Sequence, residues 1–121
     1  MSEIYGEIDY YKIGGLKILS ENKDIDIGGG VAINLPSDSG VPIFLYKFKT
    51  ISMKGDYAFD VKVQVSDDGI TWDDYYSTSL TANTLCSYSF EEDFFYIRVN
   101  VRNPDTVSHR LFYIRIKGRR R

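Results

Sequence analysis

The feature that most constrains this chain is a strict alternation in its second half. Tyr57, Phe59, Val61, Val63 and Val65 are separated by Ala58, Asp60, Lys62 and Gln64. A repeat of two puts all five large side chains on one side of an extended backbone, because successive side chains of a strand point to opposite faces. Phe95, Ile97, Val99 and Val101 repeat the pattern, and so do Phe112, Ile114 and Ile116. These side chains predict three strands that share one core. No window of a dozen residues holds the helical spacing, and alanine occurs only at Ala32, Ala58 and Ala82. Ten tyrosines and seven phenylalanines, with abundant Ile, Val and Thr, suit pleated, half-buried surfaces instead.

Turn residues divide the rest. Ser66-Asp67-Asp68-Gly69 predicts a hairpin, with Gly69 free to take positive φ. Ile70-Thr71-Trp72 starts the return strand, which continues or ends at Asp73-Asp74-Tyr75-Tyr76. Residues 85–90 alternate weakly, and Asn103-Pro104-Asp105 breaks the strand that begins at Phe95. In the first half, residues 41–52 read as one long strand. It turns Phe44, Tyr46 and Phe48 one way and Ile43, Leu45 and Lys47 the other. Residues 24–27 and 31–35 are short strands around a flexible Gly28-Gly29-Gly30 loop. Residues 5–13 form an edge strand or an arm. Seven or eight short strands predict a single antiparallel β-sandwich of jelly-roll type. At 121 residues it is one domain, with an N-terminal arm (1–13) and a short basic C-terminal tail (117–121).

Charge and cysteine content narrow the function classes. The chain nets −2, which argues against a basic nucleic-acid coat. Residues 1–80 are net acidic, whereas residues 81–121 hold eight bases against four acids, densest at Arg119, Arg120 and Arg121. That run is a solvated terminus, a patch for an acidic partner, or one half of a head-to-tail contact between copies. One cysteine excludes an intrachain disulfide. Cys86 reads as a small core residue. No signal-peptide pattern opens the sequence, and no run approaches the ~18 apolar residues of a membrane span. Synthesis in a reducing cytoplasm is the expectation, with no membrane partner.

Residues 61–72, Val61 through the Ser66–Gly69 turn to Trp72, followed by Phe95-Tyr96-Ile97-Arg98-Val99, resemble the second half of discoidin domains. These are the coagulation-factor type C, galactose-binding-like β-sandwiches. The resemblance covers residues 57–117 and implies a sandwich with Trp72 packed under the hairpin. The chain lacks the family's disulfide pair and its recognisable sugar-binding or lipid-binding loops. It also looks like the short, cysteine-poor accessory virion proteins of tailed phages, namely capsid decoration and small tail or baseplate proteins. That likeness implies a location in the virion, with other virion proteins or copies of itself as partners.

Candidate sites are few. Asp67, Asp68, Asp73 and Asp74 surround one hairpin and are the calcium candidates, although their spacing does not match an EF-hand and turn-forming aspartates explain them equally. Trp72 is a core residue or a stacking platform. His109 reads as a surface residue, since neighbouring Ser108 points to the other face of a strand. Gly28-Gly29-Gly30 is followed by no helix and no Lys-Ser/Thr, so it is no phosphate loop. Tyr10, Tyr11, Tyr75 and Tyr76 come in adjacent pairs, so in a strand one of each pair faces outward, as rim or as contact surface. Glu91-Glu92-Asp93 is a solvated turn or an acidic counterpart for a neighbour's basic tail. No catalytic pair and no cofactor motif emerges. The expectation is a non-enzymatic structural protein of a phage particle, or alternatively a carbohydrate-binding module whose partner is a glycan.

Overall fold

The computed structural model describes residues 15–120, and the structural statements below concern those residues. Nine strands run in chain order: β1 (Lys17–Ile27), β2 (Ala32–Leu35), β3 (Val41–Pro42), β4 (Tyr46–Gly55), β5 (Asp60–Ser66), β6 (Asp73–Ser79), β7 (Cys86–Phe90), β8 (Tyr96–Arg102) and β9 (His109–Arg120). They form two antiparallel sheets. The first has the order β1-β9-β4-β7, and the second β2-β8-β5-β6 with β3 also on β8. The result is the all-β sandwich that the alternation predicts.

The register explains the core. β5 pairs with β8 so that Val61 meets Val101, Val63 meets Val99, and Val65 meets Ile97. All six are buried. In the facing sheet, Ile51 pairs with Ile116 and Met53 with Ile114, and these too are buried. Each pair thus brings a full row of apolar side chains to the same face. A one-residue slip would turn every one of them to solvent.

The sheet change at residues 43–45 corrects the long strand expected over 41–52. β3 lies in one sheet and β4 in the other. Between them the Tyr46 amide donates to the Ile43 carbonyl and closes a turn. Phe44 and Leu45 project from that turn, 47% and 45% exposed, while Ile43 and Tyr46 are buried. Residues 24–27 are the end of an eleven-residue β1, longer than the short strand expected.

Two of the side chains expected to line the core do not. Phe95 precedes β8 and is 53% exposed, its ring edge-on to Phe44 at 6.1 Å. Phe112 falls where the β4–β9 register shifts between the Lys54–Tyr113 and Gly55–Leu111 pairs. That extra residue lets both Leu111 and Ile114 point inward and takes Phe112 out of phase. A second irregularity corrects the tyrosine reading. The β5–β6 register shifts between the Val63–Tyr76 and Gln64–Asp74 pairs, leaving Tyr75 as the extra residue. Tyr75 and Tyr76 therefore both reach Tyr88 of β7, at 6.3 Å edge-on and 3.8 Å stacked, and neither simply faces outward. With Phe90 and Phe94 they close the gap between the edge strands β6 and β7.

Lys49 is a buried cation in this core. Its Nζ donates to the carbonyl oxygens of Tyr46, Lys47 and Glu92 at 3.2, 3.1 and 2.8 Å. It also sits 5.0 Å from the Phe90 ring centre. Three carbonyls and an aromatic face compensate its desolvation and tie the β7–β8 connection to β4. Lys117 to Arg120, expected in a tail, are the last residues of β9: Lys117 and Gly118 lie between β1 and β4, and Arg119 and Arg120 pair with β4.

Candidate functional site

The outward positions of the second sheet form one connected polar surface. Arg98 of β8 donates from Nε to Gln64 Oε1 at 2.8 Å and from a terminal nitrogen to the Asp38 carbonyl at 2.7 Å. Gln64 in turn donates to Asp74 at 2.8 Å, and Asp74 also faces Lys62 at 3.6 Å. The Gln64 bond holds the Asp74 carboxyl below its usual range. Asn100 donates to Asn34, which donates to Asp38, both at 2.9 Å. Arg102 lies 3.4 Å from Asp60. Each cation on this face thus has an acceptor, and amides link the strands. Beside the Arg102–Asp60 end, between Lys62, Asn100, Ser77 and Ser79, lies an open depression of about 530 Å³.

Trp72 belongs to this surface. Its ring lies under the Arg98 guanidinium at 4.4 Å. Gly40 has φ +70, and a Cβ there would come within 2.6 Å of the indole and 2.4 Å of the Ile97 carbonyl. Trp72 is half-buried and stands outside the buried core cluster, which corrects the reading of it as a core residue under the hairpin. The turn itself is built as expected. Ser66 Oγ accepts from the amides of Asp68 and Gly69, and Asp68 Oδ1 accepts from Ile70 and Thr71. Those two amides lower the Asp68 pKa. Of the calcium candidates, Asp68 is thus spent on the turn and Asp74 on Gln64 and Lys62. No group of three or more His, Cys, Asp or Glu positioned for a metal ion occurs among the described residues.

One loop end of the sandwich carries exposed apolar side chains. Phe44 and Phe95 flank a cavity of about 160 Å³ that Phe94, Asp67 and Asp93 complete. Leu45 adjoins it in sequence, and Glu91 faces Lys47 at 4.0 Å. Nearby, the Tyr75 hydroxyl donates to Glu92 at 2.6 Å. Burial first, and then that carboxylate, push the Tyr75 phenol far above its usual pKa, and the same bond lowers Glu92.

His109 is half-buried rather than a simple surface residue. Its ring stacks on Tyr57 at 4.0 Å. Nε2 faces Asp105 at 2.7 Å and Nδ1 faces Asp56 at 3.5 Å. The imidazole contact holds the Asp105 pKa down. Both ring nitrogens are thus directed at carboxylates. Cys86 is half-buried against the core, with Sγ 3.6 Å from the Thr84 carbonyl.

Of the other expected contact residues, Arg119 lies over the Phe48 ring at 4.9 Å and Arg120 over Tyr46 at 5.9 Å. Tyr10, Tyr11, Arg121 and the expected arm at 1–13 lie outside the described residues. The amide network was missed in the sequence. Its members were visible as the polar partners in two alternating strands, but nothing there showed that β5 and β8 would lie side by side.

No family model matches the chain, and no curated protein matches it. Among solved structures, the chain is similar to the PBSX exported protein XepA, with a TM-score of 0.65 and 14% identity. That match covers 86% of this chain and 37% of XepA, so the chain spans little more than a third of that protein's length. A mutant family 29 carbohydrate binding module matches with a TM-score of 0.45 and 12% identity over 86% of this chain and 91% of the other. The Tobacco streak virus coat protein matches at 0.40 and 13%, over 89% and 86%. The XepA likeness is one of fold, and the two weaker ones carry no argument. No helix among the described residues is long and apolar enough to cross a membrane.

Proposed function

We propose that this chain is a non-enzymatic interaction module, an accessory structural component of a tailed-phage particle that docks on another particle protein or on copies of itself. The observation that carries the docking is the loop end where Phe44, Leu45 and Phe95 are each about half exposed beside Asp67 and Asp93. Large apolar side chains gathered at one site lose contact with water when a partner covers them, and such patches mark interaction surfaces. The rigid two-sheet scaffold below, with both His109 nitrogens committed to carboxylates, suits presentation of a surface rather than turnover. The phage context rests on the likeness stated from the sequence. The test is to follow the chain through density-gradient purification of particles from the organism that encodes it. The chain should band with capsid or tail proteins, and a Phe44→Ser/Phe95→Ser variant should remain at the top of the gradient. A wild-type chain absent from the particle band would reject the reading.

A second reading rests on the amide-rich face of the second sheet. Arg98, Gln64 and Asn100 offer fixed donors and acceptors of the kind that recognise sugar hydroxyls, with the Trp72 ring beneath the Arg98 guanidinium at their edge. The discoidin-like pattern around Trp72 belongs with this reading. A glycan array gives the test: competable binding lost in Trp72→Ala would favour it, and no binding to any neutral glycan would remove it.

A further inference from the structure

The end of the sandwich away from Phe44 and Phe95 is tied together by a different set of side chains. Two connections are stitched there by uncharged bonds. The buried Asn103 donates from Nδ2 to the Ile27 and Val107 carbonyls at 2.9 and 2.8 Å, and its Oδ1 accepts from the Asp105 amide at 2.9 Å. Its main chain bonds Gly30 and Val31, both at 2.9 Å. The β1–β2 and β8–β9 connections are thus joined by groups that do not titrate. The β4–β5 connection is held to β9 by the Asp56 amide, which donates to the Arg110 carbonyl at 3.0 Å. In return the Arg110 amide donates to Asp56 Oδ1 at 2.9 Å.

His109 links the β4–β5 and β8–β9 connections through charge. Its side chain, 19% exposed, lies flat on Tyr57 of the β4–β5 connection at 4.0 Å. Nε2 is 2.7 Å from Asp105 Oδ2 of the β8–β9 connection, and Nδ1 is 3.5 Å from Asp56 Oδ1. Among the described residues these two carboxylates are the charged groups in contact with the ring. From β1, Ile27 lies opposite His109. The Asp26 carboxylate beside it is bound by Arg110, whose side chain leaves β9 on the other face.

The two contacts together demand two protons. A neutral imidazole has one N–H and one lone pair, and an ionised carboxylate can only accept. A ring with one proton therefore satisfies one acid and turns a lone pair on the other. A ring with two protons satisfies both, and its charge strengthens each contact. Nε2 makes the shorter contact, so it is the nitrogen that keeps the last proton, and Nδ1 is left facing Asp56 without one. The Asp105 carboxyl is held below its usual range by this bond, so it stays ionised well into acid.

We propose that His109 is a proton-operated clasp: with both ring nitrogens protonated it ties the β8–β9 connection at Asp105 to the β4–β5 connection at Asp56, and loss of one proton releases the Asp56 side. The clasp is closed while the ring is doubly protonated and both acids are ionised. It opens as pH rises through the imidazole transition, which lies at about 6.5 for an ordinary histidine. Its stabilisation is therefore lost toward alkaline pH, the reverse of a carboxylate bonded to uncharged donors. The inference stands apart from the docking and glycan readings, which concern other surfaces.

Nitrogen-15 NMR of the full chain tests it, because His109 is the single histidine and its ring signals are unambiguous. Both ring nitrogens should carry a proton at about pH 5.5, and Nε2 should keep its proton at about pH 8.5. Across that transition the Asp56 and Arg110 amides should exchange about threefold faster, after correction for their intrinsic rates, as suits one partly exposed ion pair. Asp105→Asn and Asp56→Asn should each move the ring transition to lower pH, Asp105→Asn the further. His109→Gln should make the corrected exchange of both amides independent of pH. Where His109→Gln does not fold, the two Asn variants give the same decision. Lys62→Ser, on the opposite sheet, should leave the transition in place. A ring that keeps its last proton on Nδ1, amide exchange that ignores the transition, or a transition unmoved in both Asn variants would overturn the proposal.

Discussion

The two outer faces of the sandwich are built from the same repeat and end in different chemistry. On the second sheet the cations Lys62, Arg98 and Arg102 each meet an acceptor across a strand boundary. On the first, Arg115 meets Glu21 and Arg110 meets Asp26 across the β1–β9 boundary, whereas Lys117 has Thr50 on one side and Ile18 on the other. The difference lies in what the neighbouring strand supplies opposite each cation. Register therefore decides whether a basic side chain becomes part of a neutral lattice or stands opposite uncharged neighbours.

Glycines give the largest way to probe this contrast, one in the β2–β3 connection beside the second sheet and one in the first sheet. Gly40 holds Trp72 to the neutral face. With φ +70 and the Ile97 carbonyl 2.4 Å from any Cβ, Gly40→Ala has no room to relax. We expect a loss of about 2–3 kcal/mol in denaturant unfolding. Gly118 lies in β9, where a Cβ would meet the Tyr46 ring at 2.8 Å. A side chain yields more readily than a backbone carbonyl, so Gly118→Ala should cost about 1–2 kcal/mol. Equal losses would show that the Ile97 carbonyl yields as readily as the Tyr46 ring. Trp72→Ala comes next, at about 1–2 kcal/mol, because the ring is only half-buried and its cation contact is partly solvated.

The same contrast explains what could be read from the sequence. β5 was legible because its alternation runs unbroken from Phe59 to Val65, and β8 because Ile97, Val99 and Val101 do the same. Periodicity failed where the chain added a residue or changed sheets. Tyr75 and Phe112 sit at such extra residues, and an insertion of one leaves no mark in composition. Residues 43–45 cross between sheets, and the Phe44-Leu45 pair there alternates as convincingly as a strand. The faces were harder still. Lys117 and Arg119 read as a tail because the Arg-rich run resembles a frayed end, whereas β9 continues to Arg120 along β4. Lys49 gave no signal at all, since its three carbonyl acceptors come from a turn and from residue 92, far away in sequence.

Acid should act on both faces through different partners. The carboxyls of Asp74 and Asp68 on one side, and Glu21 on the other, are held below their usual pKa by Gln64, by the turn amides, and by Arg115. A group with a depressed folded pKa contributes stability that is present above its unfolded value and lost as pH falls through the folded one. Their contribution to thermal stability should therefore be flat above about pH 5 and fall below about pH 4. Asp68→Asn should lower the melting temperature at neutral pH and shrink that acid-induced fall. A melting curve indifferent to pH between about 2 and 5 would deny these carboxylates a role.

The smallest effect separates the faces most directly. Lys62→Ser removes the partner of Asp74 and leaves that acid with Gln64 alone, so it should destabilise slightly. Lys117→Ser removes a cation that meets Thr50 and Ile18 rather than an acid and stands two residues from Arg115, so it should stabilise slightly at low salt. Both changes should stay within about 0.5 kcal/mol, because exposed charges interact weakly through water. Added salt screens attraction and repulsion alike, so the two differences should converge on zero from opposite sides. If both variants shift the same way at low salt, Lys117 is not repelled by its neighbours, and the difference in register between the two faces has no energetic consequence.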